Sequence, residues 1–496
     1  MLAQKFAIKV IASIFSSLLM FISLLVMTRN VGPEYGMIMF GWSLIGLVNA
    51  VSDLGFDTAT VKFISEGKDL NGCISTHLFV KSLLIGAMVL LTLAYLAVMI
   101  LTDSISSEAM TIVIVFLAYY VLFNINWVLI HTFDGKQEAT NSSIIQATET
   151  MSRSLMLIVL ALFGATAVIL STGYIFGVVV SIAVALFLFR KIKYRPTRPI
   201  YLKEYVTFAK PIAVGFLLFM AISYLDKVIV GVYWGSLEVG FYTAAFGIVG
   251  AATTIGVSLN YVLLPRFSEL FATNDHRKAE SVLWSSEKYI SILFVPAVIF
   301  MLVFGESLAP VLFGADFAPA GTVISALALY ILFFIIGGIL TQVLYSTNKS
   351  RLYRNATLFY IVSTFVLLIV LVPENIGSVK LMGMGATGAA IAMTAGYLIF
   401  VVIIEYYVRA AVGLRLHKGL LKQFVAGVIV FAVTFYIRGY GTFGLLPLLL
   451  LFLLCFALYG ALLFVLKEMN KEDLKFIFNA VNPKKLYENS KIERKG

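Results

Sequence analysis

Asn49, Asp53 and Asp57 recur four residues apart in an otherwise apolar run, with Gly46 three residues ahead of them. That spacing puts one polar stripe on one face of a helix. In a second apolar run Glu149 and Arg153 stand at i, i+4, able to pair on one face, with Gln146 and Thr150 beside them. Ionisable groups in such runs cost roughly 2.5–3.5 kcal/mol at a bilayer centre on insertion scales, so they face a cavity, water or a partner. The two stripes belong together on this argument. Either they line a functional cavity, or they form an internal salt-bridge set that fixes helix packing.

Two more charged positions fall inside or at the rim of apolar runs. Asp226 and Lys227 lie about five residues inside the outer end of a run at 206–231. Adjacent helix residues point about 100° apart, so they are not expected to stack. Lys227 can snorkel outward, which leaves Asp226 the more telling residue. Arg29 ends the first run, as an interfacial anchor or as an anion contact at a cavity mouth.

The elements that position these groups follow from composition. The 496 residues are 60% hydrophobic and 13% charged, where soluble domains run about 45–50% and 25%. Runs of about 20 apolar residues recur along the chain, each long enough to cross a hydrocarbon core of about 30 Å. Fourteen spans are expected, among them 9–28, 37–58, 142–163, 206–231 and 289–312, and the last ends near 466. The reading is an all-α integral membrane protein. Lys5 and Lys9 precede the first span without a small-residue cleavage site, which reads as an uncleaved span. Pro296 predicts a kink in the ninth.

The net charge of +11 does not point to nucleic acid. All but Arg29, Lys227, Lys380 and Arg438 of the 37 Lys and Arg fall on or toward one side of the expected topology. The positive-inside rule then places both termini in the cytoplasm. The tail of the chain, with Leu474, Phe476, Ile477 and Phe478 among lysines, reads as a solvated or membrane-surface segment. Two cysteines, Cys73 and Cys455, make no disulfide framework. The four histidines are expected in connecting loops, so neither a metal nor a cofactor is expected.

Two internal repeats divide the chain. Residues 26–68 return as 226–270: Gly32 and Gly235 open matching turns, Gly36 and Gly240 close them, and a long apolar helix follows each. The turn segment 131–144 likewise resembles 345–358. Six spans (1–190), a basic linker (191–205), six more spans (206–408), two added spans (409–467) and a basic tail (468–496) follow, with the two six-span lobes related as pseudo-symmetric parallel repeats. Internal repeats of this kind are a transporter design with the substrate site at the repeat interface. The second-lobe positions around 260–261 and 363–367, which match Asp57, Glu149 and Arg153, carry no charge. Ion handling is therefore expected in the first lobe. Gly383, Gly385 and Gly388 spell G-x-G-x-x-G without a preceding strand, which reads as close helix packing.

The run Thr28-Arg29-Asn30-Val31-Gly32-Pro33-Glu34-Tyr35-Gly36, followed by Ser52-Asp53-Leu54-Gly55-Phe56, resembles the start of polysaccharide-biosynthesis flippases. Asp226-Lys227-Val228-Ile229-Val230-Gly231, then Val239-Gly240-Phe241-Tyr242-Thr243-Ala244-Ala245, resembles their seventh and eighth spans. Leu312-Phe313-Gly314-Ala315-Asp316-Phe317 resembles a later turn. Each motif is loose, and their order and spacing together are specific; Phe241 departs from the family's smaller residue. The resemblance places the chain in the multidrug/oligosaccharidyl-lipid/polysaccharide exporter superfamily. It implies two six-helix lobes around a central cavity, and translocation of polyprenyl-pyrophosphate-linked oligosaccharides.

On this reading the chain is a flippase working by alternating access between leaflets. Asn49, Glu149, Arg153 and Asp226 line the cavity, Arg153 contacts the anionic head, and Arg29 and Lys227 are outer contacts. Asp53 and Asp57 are the candidates for proton or sodium coupling. Partners are the lipid-linked oligosaccharide, membrane lipids and, as candidates, a polysaccharide polymerase or glycosyltransferases. The acids inside spans outnumber the bases, which keeps open a multidrug or cation antiporter of the same superfamily. A membrane enzyme of polysaccharide assembly is the other alternative, and short loops without D-x-D speak against it.

Overall fold

Apolar segments in hydrocarbon must satisfy their backbone hydrogen bonds internally, which makes spans helical. The computed structural model describes residues 2–414, 419–470 and 473. The tail expected beyond 473, and the basic residues Arg415 and Lys418, lie outside the described residues. The first lobe holds α1 (Leu2–Val31), α2 (Tyr35–Asn49), α3 (Phe56–Ser65), α4 (Leu70–Leu101), α5 (Ser107–Gly135), α6 (Ala139–Leu162) and α7 (Ala167–Phe189). The second holds α8 (Leu202–Trp234), α9 (Ser236–Ala272), α10 (His276–Phe313), α11 (Ala320–Ser346), α12 (Ser350–Leu371) and α13 (Gly385–Val412). Two added helices, α14 (Leu420–Arg438) and α15 (Leu445–Val465), pack on α10 through Phe300, Phe304, Phe452 and Cys455. Counting α2 and α3 as one passage gives fourteen among the described residues.

The second span is where the structure departs from a plain helix. After Asn49 the chain tightens into a 3-10 turn, Ala50–Ser52, and then bends at Leu54 (φ 51°) and Gly55 (φ 90°) before α3 begins. A left-handed leucine is uncommon. The matching helix α9 runs unbroken through the corresponding region. The kink expected at Pro296 falls elsewhere: in α10 the non-helical dihedrals are at Phe304 (φ −106°, ψ 16°). Pro310 has no N–H for the Glu306 carbonyl, which loosens the turn ahead of it.

The repeat is visible in side-chain detail. Glu34 Oε2 accepts the Ala167 N–H at 3.1 Å, at the start of α7; Glu238 Oε2 accepts the Ala386 N–H at 3.1 Å, at the start of α13. Each glutamate meets the unpaired N–H groups and positive end of its own lobe's last helix. The turns after α5 and α11 each carry one left-handed residue, Gln137 (φ 60°) and Asn348 (φ 57°). Gly177 lets α7 lie against Arg153 of α6, where an added Cβ would stand 2.5 Å from the Arg153 Cβ. Gly396 lets α13 lie against Thr364 of α12 in the same way, with an added Cβ 3.1 Å from the Thr364 Cβ. Arg153 and Thr364 are therefore equivalent seats, one charged and one neutral.

The lobes meet along α1, α2 and α3 on one side and α8 and α9 on the other, with a continuous apolar core across the seam. At the end away from the basic loops Phe317 fills the junction, its ring 6.2 Å from Tyr35 and 5.6 Å from Phe241. At the basic end Phe63 of α3 lies 5.0 Å from the Tyr205 ring and 5.9 Å from Phe208, both on α8, and Lys68 pairs with Glu204. The linker between lobes is strapped to the start of α4. Arg195 N–H donates to Asn71 Oδ1 (3.0 Å), Thr197 N–H to Ser75 Oγ (3.0 Å) and Tyr201 N–H to Thr76 Oγ1 (3.3 Å).

Candidate functional site

Between the two end contacts of the seam lies a cavity of about 210 Å³, bounded by α1, α2, α6, α7 and α9. Its walls include Met27, Tyr35, Trp42, Tyr174 and Thr243, and Arg153 is the charged residue among them. Arg153 comes from the middle of α6, held there by the close approach of Gly177. Its Nε lies 3.5 Å from Glu149 Oε1 and its guanidinium carbon 5.2 Å from the centre of the Tyr174 ring. At 3.5 Å the pair is long for a hydrogen bond, and the Nη groups donate no hydrogen bond among the described residues. Glu149 sits behind the wall rather than in it. Its carboxylate accepts from the Tyr119 hydroxyl (3.4 Å) and the Thr150 hydroxyl (3.3 Å). A fork of donors facing a small cavity lined by aromatic rings can take an anion.

The carboxylates of the second span lie at its break, toward the basic end. Asp53 Oδ1 accepts the Asp57 N–H at 2.8 Å and so caps the first turn of α3. Asp57 is buried among bases: His77 Nε2 donates to Oδ1 at 2.8 Å, and Lys81 Nζ donates to both oxygens at 3.0 and 3.1 Å. His131 Nε2 stands 3.4 Å from Oδ2. Asn49 faces a separate small network, its Oδ1 accepting from Asn124 Nδ2 (2.6 Å) and Ser52 Oγ (2.9 Å). Neither acid nor Asn49 is in the cavity wall described above.

In the second lobe Lys227 does not snorkel. It turns inward and donates to Asp226 Oδ1 at 3.0 Å and Oδ2 at 3.1 Å, although the two are chain neighbours. The Tyr242 hydroxyl donates to Asp226 Oδ2 at 2.7 Å, and the ammonium lies 5.6 and 5.2 Å from the Tyr242 and Phe246 rings. Chain neighbours can meet because the long Lys stem curls back over the short Asp, where the ring faces hold the cation. Arg29 is also engaged elsewhere: Nε donates to Leu312 O at 2.9 Å and Nη2 to Val311 O. It satisfies carbonyls left unpaired at the end of α10 and so ties α1 to the second lobe.

His77, Lys81 and His131 escaped the sequence reading. The histidines were expected in loops, but His77 lies inside α4 and His131 near the end of α5. Lys81 is one of the many Lys and Arg expected toward the basic side. The i, i+4 spacing of His77 and Lys81 in an apolar helix was the available signal, since it puts two bases on one face toward a buried acid. Among the described residues no three His, Cys, Asp or Glu side chains are grouped to hold a metal ion.

Two pseudo-symmetric helical lobes closing on a central cavity define a membrane transporter fold. The chain belongs to the polysaccharide biosynthesis protein family, which it matches over residues 26–322. A probable low-salt glycan biosynthesis flippase of Haloferax volcanii, Agl15, is 22% identical over 414 residues, 82% of this chain and 83% of that protein. Among solved structures, the lipid II flippase MurJ in an inward closed conformation superposes with a TM-score of 0.74 at 14% identity. That match covers 93% of this chain and all of MurJ. An inward-facing multidrug resistance transporter of the MATE family gives a TM-score of 0.60 at 13% identity, covering 79% of this chain and 95% of its own. These likenesses establish the fold: MurJ- and MATE-like, and multi-pass in a membrane.

Proposed function

We propose that this protein is a flippase that carries a lipid-linked oligosaccharide, joined through a phosphate or diphosphate, across the membrane by alternating access. The basic end faces the cytoplasm in this reading, and a growing surface glycan or glycoconjugate receives the product. A sugar and diphosphate head cannot cross hydrocarbon unaided, because each unsatisfied polar group there costs several kcal/mol. The seam supplies a path for the head while the polyprenyl tail stays in lipid.

One observation carries the reading: the charged side chain in the cavity wall is a cation, Arg153, while the acids of the spans lie behind or away from that wall. Asp57 meets Lys81 at 3.0 Å, Asp226 meets Lys227 at 3.0 Å, and Glu149 stays behind Arg153. The acids that favoured a cation substrate lie outside the cavity wall, and Asp57 and Asp226 each already hold an ammonium. An anionic head suits what remains. The cavity of about 210 Å³ is smaller than the roughly 300–1,000 Å³ of ordinary ligand sites. Its present closure fits a state between loads, and the lobes must part to admit a head group. The family and the flippase among its relatives support the same substrate class.

The discriminating experiment reconstitutes the full chain in liposomes. It compares translocation of a fluorescent polyprenyl-diphosphate disaccharide with efflux of a lipophilic cationic dye. Movement of the first and not the second is expected. Dye efflux without movement of the lipid-linked sugar would replace this reading with the antiporter.

A further inference from the structure

The break in the second span is surrounded by more titratable groups than a helix-packing salt bridge requires. Asp53 and Asp57 come from the break itself, His77 and Lys81 from α4, and His131 and Asp134 from α5. Among the described residues α8, which packs against α3 from the other lobe, adds no ion-pair partner to the group. With three carboxylates ionised, Lys81 protonated and both imidazoles neutral, the formal charge of the cluster is two negatives.

The two histidines differ in how they can hold a proton. His77 is wholly buried, and its Nε2 already donates to Asp57. The Nδ1 of both histidines is buried without a hydrogen-bond partner, but among the described residues no acid forms an ion pair with that of His77, so a second proton there would have nothing to meet. His131 lies between two acids, with Nε2 3.4 Å from Asp57 Oδ2 and Nδ1 3.5 Å from Asp134 Oδ2. Its protonated form has a carboxylate on each side. Exposure rises along the same line, from 12% for the Asp57 side chain to 18% for His131 and 31% for Asp134.

Resting on the flippase reading, we infer that the coupling ion is a proton and that His131 is the residue that binds and releases it. Asp134 is the exchange point with water at the basic end, and Asp57 is the acid that senses the charge. A metal cation has no room on Asp57, because the Lys81 ammonium spans both of its oxygens. Binding is a simple transfer: hydronium gives its proton to one imidazole nitrogen, the cluster falls to one negative charge, and release returns the proton to water. The neighbouring hinge supplies the consequence. Leu54 and Gly55 sit in left-handed conformations directly before α3, and α3 carries the cross-lobe contacts of Phe63 and Lys68. A change of charge at His131, 3.4 Å from Asp57, therefore acts on the segment that joins the lobes at the basic end.

The Trp127 ring lies 4.9 Å from the His131 ring, close enough for an imidazolium to quench its fluorescence. The Trp127 signal, taken as the difference between the full-length protein and its Trp127→Phe variant, should fall on acidification with one midpoint. His131→Gln should abolish the transition and His77→Gln should keep it. A Trp127 signal that does not titrate in the unmodified protein, or that still titrates in His131→Gln, overturns the inference. In proteoliposomes, one coupled proton in a gradient of about one pH unit is worth about a tenfold drive. Translocation of the fluorescent polyprenyl-diphosphate disaccharide should rise accordingly, and His131→Gln should lose the rise. A rise driven by sodium instead, or retained by His131→Gln, contradicts it. Should nothing be translocated under any gradient, the flippase reading fails, and the Trp127 titration alone decides the proton site.

Discussion

Gly36 and Gly240 touch across the seam: a Cβ built on Gly240 would stand 3.1 Å from the Gly36 Cα, and one built on Gly36 would stand 2.0 Å from the Ser236 carbonyl oxygen. They are the matching glycines of the internal repeat, so the two lobes meet at equivalent points. The motifs around Arg29, Gly240 and Phe317 converge on this junction. The family-like segments of the sequence thus mark a seal between lobes.

The glycine contact predicts that Gly36→Ala and Gly240→Ala each destabilise the closed junction, by about 1–3 kcal/mol as in other overpacked sites. Because both act on one contact, the double variant should cost clearly less than the sum. Thermal unfolding of the four proteins checks this. Full additivity would mean that the contact does not close the seam.

The two capping glutamates offer a test of symmetry. Glu34→Ala and Glu238→Ala should each cost about 0.5–2 kcal/mol. Acting on helices of different lobes, they should add within about 0.5 kcal/mol. Glutamine at either position should restore part of the loss by keeping an acceptor for the helix N–H. An effect at one site only, measured by unfolding temperature, would show that the equivalence is geometric and not energetic.

Lys81→Met leaves Asp57 buried without its ammonium, a change expected to cost about 3–5 kcal/mol. Adding Asp57→Asn removes the stranded charge and should recover most of the folded yield, read by detergent-stable monodisperse protein. Equal yields from the single and double variants would show that Lys81 does not hold Asp57.

Much of the fold was legible because a bilayer leaves few choices: fourteen apolar runs became fourteen passages, and the repeat was readable in Gly32, Gly36, Gly235 and Gly240. The break after Ser52 was not. Leu54 and Gly55 carry no signal that separates a bend from a helix in an apolar window, and only the packed neighbours make the turn affordable. Of the candidate residues, the structure puts Arg153 in the cavity wall with Glu149 behind it. Asp53 and Asp57 share a second cluster, Asn49 joins Asn124, and Asp226 with Lys227 and Arg29 lie in contacts of their own. Pairing across helices decides such placements, and spacing along one helix does not report it. Lys81 shows this most clearly, since its partner lies 24 residues away.

On the flippase reading, Arg153 receives the anionic head group in the seam cavity. The most direct measurement is the rate at which Arg153→Ala, inserted at the same density as the unmodified protein, translocates the fluorescent polyprenyl-diphosphate disaccharide in liposomes. Loss of a charge-assisted contact of about 1.5–3 kcal/mol predicts a fall of about 10- to 150-fold, with partial recovery in Arg153→Lys. An unchanged rate from a well-inserted Arg153→Ala protein would contradict the account.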